Sequence, residues 1–199
     1  MVSRSISAER PRLLLHCCCA PCASSVLELL SRDYCVTLFF YNPNISPLEE
    51  HDKRAAELFK LTAQELYGES VGLIICDYDA AAFDSVAAPF IDEPEGGLRC
   101  GACFRLRLEE TAKFASEGGY DCFTTTLSVS PHKDAKVINE IGADIAGEYN
   151  VGFLHSDFKK RDGYKRSVEL SKQYGLYRQE YCGCSYSITQ SQRPHRGFE

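Results

Sequence analysis

The 199-residue chain is 44% hydrophobic and 25% charged, an ordinary composition for one globular domain with its own core. Its longest apolar runs, VTLFFY (36–41) and VGLIIC (71–76), fall far short of the roughly 20 residues that a membrane-crossing helix needs, so no spanning segment is expected. A net charge of −6 argues against bulk attraction to nucleic acid, although it is uneven: residues 1–158 carry 13 Lys and Arg against 24 Asp and Glu, and residues 159–199 carry 9 against 4.

RLLLHC (12–17) reads as a buried strand, with a helix over ASSVLELLSR (23–32) behind it. VTLFFYNP (36–43) is a second strand, stopped by its Asn-Pro pair. In SPLEEHDKRAAELFKLTAQEL (46–66), Ser46, Pro47 at the first helical position and Glu49 predict a capping box and a long helix. VGLIICDY (71–78) is a third strand, after which AAAFDSVAAPF (80–90) and the glycine pair 96–97 lead into a helix over CFRLRLEETAKFASEG (103–118). YDCFTTTLSVS (120–130) follows as strand four and HKDAKVINEIGADIAGEY (132–149) as a helix. GFLHSDF (152–158) is strand five, and YKRSVELSKQYG (164–175) the last helix. Strands alternating with helices imply parallel pairing through right-handed crossovers, hence an α/β three-layer, Rossmann-like sheet in a single domain over 1–199.

Arg4, Arg10 and Arg12 precede LLLHCCCA in the manner of a secretory leader, but three leucines broken by His16 make no apolar leader core, and the protein is expected to be cytoplasmic. In a reducing compartment the eleven cysteines point to metal binding or redox chemistry rather than disulfides. They cluster after strand ends, where α/β sheets bind ligands: HCCCAPC (16–22), RCGAC (99–103) and YCGC (181–184), each beside Gly or Pro. Three separated groups exclude a ferredoxin-type run, and the radical-enzyme spacing that starts at Cys18 and Cys22 fails at Ser25. A tetrahedral zinc on Cys100, Cys103, Cys182 and Cys184 leaves the CCC run idle, so an iron–sulfur cluster suits the set better. Cys35, Cys76 and Cys122 stand singly and read as small hydrophobes.

HCCCAPC, FFYNPNI, EPEGGLRCGACFRLRL, TTTLSVSPHK, SDFKKRDGYKRS and LYRQEYCGC together, in this order, resemble the cobalamin-independent epoxyqueuosine reductase family, QueH, across nearly the whole chain. The resemblance implies removal of the epoxide oxygen of epoxyqueuosine at the wobble position of a tRNA, with a [4Fe–4S] cluster beside a mononuclear metal, most readily iron, and no cobalamin. Its cysteines fall on Cys18, Cys19, Cys100, Cys103, Cys182 and Cys184. Cys19, Cys100, Cys103 and Cys182 are the expected cluster ligands, and which thiolate of each close pair serves the second metal stays open. Asp77 and Asp157 are the expected acidic ligands, and Cys17 and Cys22 are supporting thiols or mere neighbours. A second resemblance, to the ATP-pyrophosphatase tRNA-thiolation fold (adenine nucleotide alpha hydrolase-like), places HCCCAPCASS where relatives carry a glycine-rich phosphate loop. No glycine stands there, so the loop is expected to hold metal instead.

Opening the epoxide and expelling its oxygen as water takes two electrons and two protons, so an external electron donor is an expected partner. Cys18, Asp157 and His16 are the expected catalytic groups, with Tyr181, Asp162 and His132 as other candidate proton donors. For the single-stranded loop of the tRNA, Tyr164, Tyr177, Arg178, Lys159 and Lys160 supply aromatic and cationic contacts, so a basic, cysteine-containing segment from about residue 157 is expected to complete the site. The rival readings are a zinc-stabilised tRNA-binding or thiolation-like protein and a metallochaperone.

Overall fold

The computed structural model describes residues 10–64 and 71–191. Strands β1 (Arg12–His16), β2 (Cys35–Phe40), β3 (Gly72–Ile75), β4 (Cys122–Thr125) and β5 (Gly152–Phe153) form one parallel sheet in the order β3-β2-β1-β4-β5. The helices are α1 (Ala20–Leu30), α2 (Leu48–Thr62), α3 (Ala80–Ala87), α4 (Leu98–Glu117), α5 (Ala135–Tyr149), α6 (Gly163–Gln173) and α7 (Ser185–Ser191). α1, α2 and α6 group together, as do α3, α4 and α5, which gives the expected three layers.

The period-two alternation of the strands sorts the core between those layers. Leu13, Leu15, Leu38 and Phe40 pack with the α1 and α2 side, whereas Leu14, Phe39 and Phe123 pack with α4 and α5. All seven are fully buried, each contributing about 1.5–3 kcal/mol of hydrophobic stabilisation. Because the chain proceeds from β1 outward to β2 and from β4 outward to β5, the loops leaving β1 and β4 diverge and open a crevice at their carboxyl ends.

The structure departs from the expected elements in particular places. Strand four stops at Thr125, because the Thr125 hydroxyl accepts the Leu127 N–H at 3.1 Å and starts a 3₁₀ turn over Thr126–Val129. The capping box does not form: α2 begins at Leu48 with Pro47 as its cap, after a cis Ser46–Pro47 bond. Ser46 instead donates its N–H to Gly183 O at 2.8 Å and accepts the Tyr181 hydroxyl at 3.0 Å. The helix expected from 103 begins at Leu98, which puts Cys100 and Cys103 in its opening turns. Two short helices join the expected set: α3, capped by Asp79, and α7, which follows the third cysteine group. Arg4 lies outside the described residues, as do two arginines of the basic C-terminal segment, Arg193 and Arg196, and the last two positions of the long helix expected over 46–66. Among the described residues no helix is long and apolar enough to cross a membrane.

Candidate metal centre

The first cysteine group is held by the strand ends beneath it. Cys17 N–H donates to Phe39 O at 2.9 Å, its thiol points at the same carbonyl at 3.6 Å, and Asn42 donates to Cys17 O at 2.8 Å. Cys17 thereby turns into the α1 and α2 side of the core while Cys18 and Cys19 join its α4 and α5 side, their sulfurs 4.0 Å apart. Cys19 is the N-cap of α1 with no side-chain cap bond of its own, so its sulfur sits where the helix dipole favours negative charge.

The second group rides on α4. Cys100 Sγ accepts the Gly96 N–H at 3.2 Å, and Arg99 ties the preceding loop down through the carbonyls of Phe90 and Ile91. The third group is clamped to α2: buried Arg54 donates to Glu50 at 2.7 Å, to Cys182 O at 3.1 Å and to Tyr181 O at 3.5 Å. Gly183 takes φ +125°, and a Cβ there would meet Arg54 Nη1 at 3.0 Å and Ile45 Cγ1 at 3.1 Å, so the turn between Cys182 and Cys184 demands glycine. Cys184 packs beside Cys103 between α3 and α4.

Electrostatically the three groups are one site. The Arg107 guanidinium interacts with Cys103, Cys182, Cys18 and Cys184, and Lys133 with Cys182, Cys18 and Cys22. Burial opposes both charges, yet the neighbouring sulfurs favour them, and Arg107 and Lys133 are both raised, the more so once those sulfurs are ionised. The thiols themselves are pushed up. Burial lifts Cys103 to about 12 against the pull of Arg107. At Cys19 the bond to Cys18 pulls down, but Cys22 and burial outweigh it and raise the thiol to about 11. Cys18 is raised by its bond to Cys19 and by burial, and Cys100 by burial. Arg107 is 1% exposed, and its Nη2 has no hydrogen-bond partner among the described residues. A buried cation with an unused donor, facing thiols that need an electrophile to ionise, fits an anionic thiolate-bound metal centre. Soft sulfur donors select zinc or iron–sulfur over hard cations. As they stand, no three His, Cys, Asp or Glu side chains among the described residues are set closely enough to hold a single ion.

A cleft of about 940 Å³ opens on this sulfur, with Cys18, Cys22 and Cys182 in its wall. Thr126 and Leu127, from the turn after β4, form another part of it, which places it at the crevice between the β1 and β4 ends. Tyr164 and Arg178 join it, the guanidinium 5.6 Å from the ring centroid, together with His132, Lys133 and Tyr181.

Other expected residues lie elsewhere. Asp157 lines a separate depression of about 630 Å³ and pairs with Lys159 at 3.0 Å and Lys160 at 3.3 Å. Asp77 is exposed beyond β3 and outside the cleft wall, whose carboxylates are Glu95 and Glu180. Tyr177 is engaged by α2, its hydroxyl on Glu50 and Lys53 over its ring at 3.4 Å. Asp162 is an exposed, left-handed residue that opens α6, and Cys35, expected to be buried, is exposed. His16 is fully buried and lowered to about 3, first by burial and then by Arg107. Its Nε2–H faces Tyr41 O at 3.3 Å, so Nδ1 accepts the Thr125 hydroxyl at 2.8 Å. Through that bond the ring braces β1 against β4. Arg107, Lys133 and Asn42 were not anticipated. The legible signal for Arg107 was its place seven residues after Cys100 and four after Cys103, on one helix face.

A family model described as epoxyqueuosine reductase QueH matches residues 13–190. The chain is 46% identical over 183 residues to the epoxyqueuosine reductase QueH of Staphylococcus epidermidis, covering 90% of this chain and 77% of that protein. It is 38% identical over 189 residues to the QueH of Thermotoga maritima, covering 92% and 93%. A crystal structure of a predicted tRNA methyltransferase subunit from Methanocaldococcus jannaschii aligns with a TM-score of 0.49 at 13% identity, over 80% of this chain and 74% of that one. The thiol-lined cleft thus belongs to a member of the epoxyqueuosine reductase QueH family, an oxidoreductase.

Proposed function

We propose that the protein reduces epoxyqueuosine in tRNA to queuosine, using a [4Fe–4S] cluster held by Cys19, Cys100, Cys103 and Cys182 and a mononuclear metal, most simply iron, served by Cys18. Each turnover consumes two electrons from an external donor and two protons, and releases the epoxide oxygen as water while the alkene forms. The observation that carries this reading is the convergence of thiols from three distant segments on the buried Arg107 and the partly buried Lys133. Family membership supplies the substrate. Bound metal would supply single electrons and a Lewis acid for the oxygen.

The chain's own residues supply the rest. Arg107 and Lys133 offset the thiolate charge, and Asn42 and Arg54 fix the backbone of the first and third cysteine groups. Cys18 and Cys182 line the cleft, whereas Cys19 and Cys103 lie outside its wall. Protons enter from the cleft side, where exposed His132 stands, because His16 is sealed and neutral. Neither Asp77 nor Asp157 reaches this wall, so neither is assigned a metal here.

The test is the iron, acid-labile sulfide and zinc content of anaerobically purified protein, followed by conversion of epoxyqueuosine-containing tRNA. About four irons and four sulfides, with turnover, are expected. Stoichiometric zinc without sulfide after attempted reconstitution would favour the zinc-stabilised tRNA-binding alternative, since zinc carries no electrons. Cys18→Ser should keep most of the iron and lose turnover; surviving activity would remove Cys18 from the reaction.

A further inference from the structure

Two polar atoms of residues in the cleft wall are buried and have no hydrogen-bond partner among the described residues: Thr126 Oγ1 and Gln179 Oε1. An unpaired buried group of this kind costs about 1–3 kcal/mol, and buried polar atoms otherwise find partners. The threonine run makes the contrast within three residues. Thr124 donates its hydroxyl to Leu154 O at 2.8 Å and Thr125 to His16 at 2.8 Å, which leaves Thr126 alone without a partner. On the other segment, Arg178 is anchored to Ser167 O and Ser171 Oγ, and the Tyr181 hydroxyl to Ser46 O. Gln179 stands between them with its oxygen unused.

We propose that the substrate completes both atoms, Gln179 accepting from the N–H edge of the base and Thr126 bonding the oxygen-bearing five-membered ring. The inference rests on the epoxyqueuosine reading and adds the orientation of the nucleoside. Thr126 follows β4, at the crevice it shares with Cys18, where the reacting ring has to sit. Gln179 precedes the third cysteine group and adjoins Arg178, whose guanidinium lies over Tyr164, a ring 41% exposed. An unpaired RNA base is recognised by such stacking surfaces together with hydrogen bonds to its edges. The modified base is a 7-deazaguanine, so its N1–H and 2-amino donors lie across the ring system from the substituent at position 7. A nucleoside with its donor edge at Gln179 therefore extends its substituent away from that edge, toward Thr126 and the sulfur. Amide oxygen and hydroxyl suit those two ends chemically.

The experiment is steady-state reduction of epoxyqueuosine-containing tRNA by the metal-loaded full chain and its variants. Gln179→Met should raise KM roughly tenfold with kcat within about twofold, the pattern of lost uniform binding. Gln179→Glu keeps an acceptor and should stay within about threefold of wild type. Thr126→Val should lower kcat/KM roughly tenfold, and Thr126→Ser should restore it. Metal content, measured in parallel, should be unchanged in all four. Wild-type kinetics in both apolar variants would overturn the inference. So would equal losses in the apolar and polar members of each pair, which would mean that side-chain shape rather than hydrogen bonding matters. Failure of the loaded wild type to convert the tRNA at all would instead sink the underlying functional reading.

Discussion

At the scale of single residues, Arg107 is the side chain whose position says most about the site. It is almost fully buried, faces four thiols and has no carboxylate partner among the described residues, donating instead to Cys103 O at 3.1 Å and Asn42 Oδ1 at 3.5 Å. Without bound metal, such a charge burdens the fold, and replacement by an apolar side chain of similar size is often neutral or stabilising. With thiolates held by metal, it offsets their charge. Arg107→Met should therefore leave the melting temperature of the metal-free protein unchanged or higher while weakening metal retention by roughly 10–100-fold, read by competition with a chelator. A fall in metal-free stability with unaltered retention would make the arginine a structural element only. The cysteines were legible because sulfur is rare and clustered, but their compensating cations were not. Arginines are commonplace on helices, and within FRLRL only the helical spacing from Cys100 and Cys103 sets Arg107, buried, apart from Arg105, which lies at the surface against Asp144 and Glu148. His16 was marked by its place beside the cysteines and Asp157 by the SDFKK motif of the family resemblance; side-chain direction sets one into the sheet and the other into a separate depression.

At the scale of elements, the strand–helix alternation was readable from hydrophobic period, and the departures all concern positions that tertiary contacts claim. Ser46 has the chemistry of a helix cap but is used to dock the third cysteine group, and a local motif gives way to a distant partner. Strand four shortens because Thr125 turns its hydroxyl onto the following backbone, a bond that apolar periodicity does not encode. The Cys182–Gly183–Cys184 turn is the element on which assembly depends most. Gly183→Ala would hold a Cβ at φ +125° against Arg54 and Ile45. The expected loss is about 1–3 kcal/mol, a fall of roughly 2–10 °C in melting temperature, accompanied by lower metal loading. Gly142→Ala is the control: its Cβ would strike the Phe153 ring where α5 crosses β5, the edge strand of the sheet, outside the cleft wall. It should cost about 1–3 kcal/mol through overpacking while metal loading per folded chain stays at the wild-type level. If the two variants lost metal in equal proportion, the loss would reflect general instability rather than the set of the turn.

At the scale of the whole molecule, an acidic protein is asked to bind a polyanion. With a net charge of −6, long-range electrostatics oppose the encounter, so attraction has to be local. The cleft wall offers Lys133 and Arg178, whereas Lys159 and Lys160, expected to contact RNA, are paired with Asp157 in the neighbouring depression. Few phosphate contacts mean few released counterions, and each contact to a single strand contributes about −0.7 to the slope of log affinity against log salt. With roughly two to four contacts, the slope should lie between about −1.5 and −3, measured by tRNA binding between about 50 and 200 mM salt. Arg178→Gln should flatten it by about one such contact. That effect also separates the role of the arginine as a phosphate partner from a stacking surface, which would lower affinity at every salt concentration alike. A slope steeper than about −6 would require a broad basic face, and would mean that Lys159 and Lys160 exchange Asp157 for phosphate when the tRNA arrives.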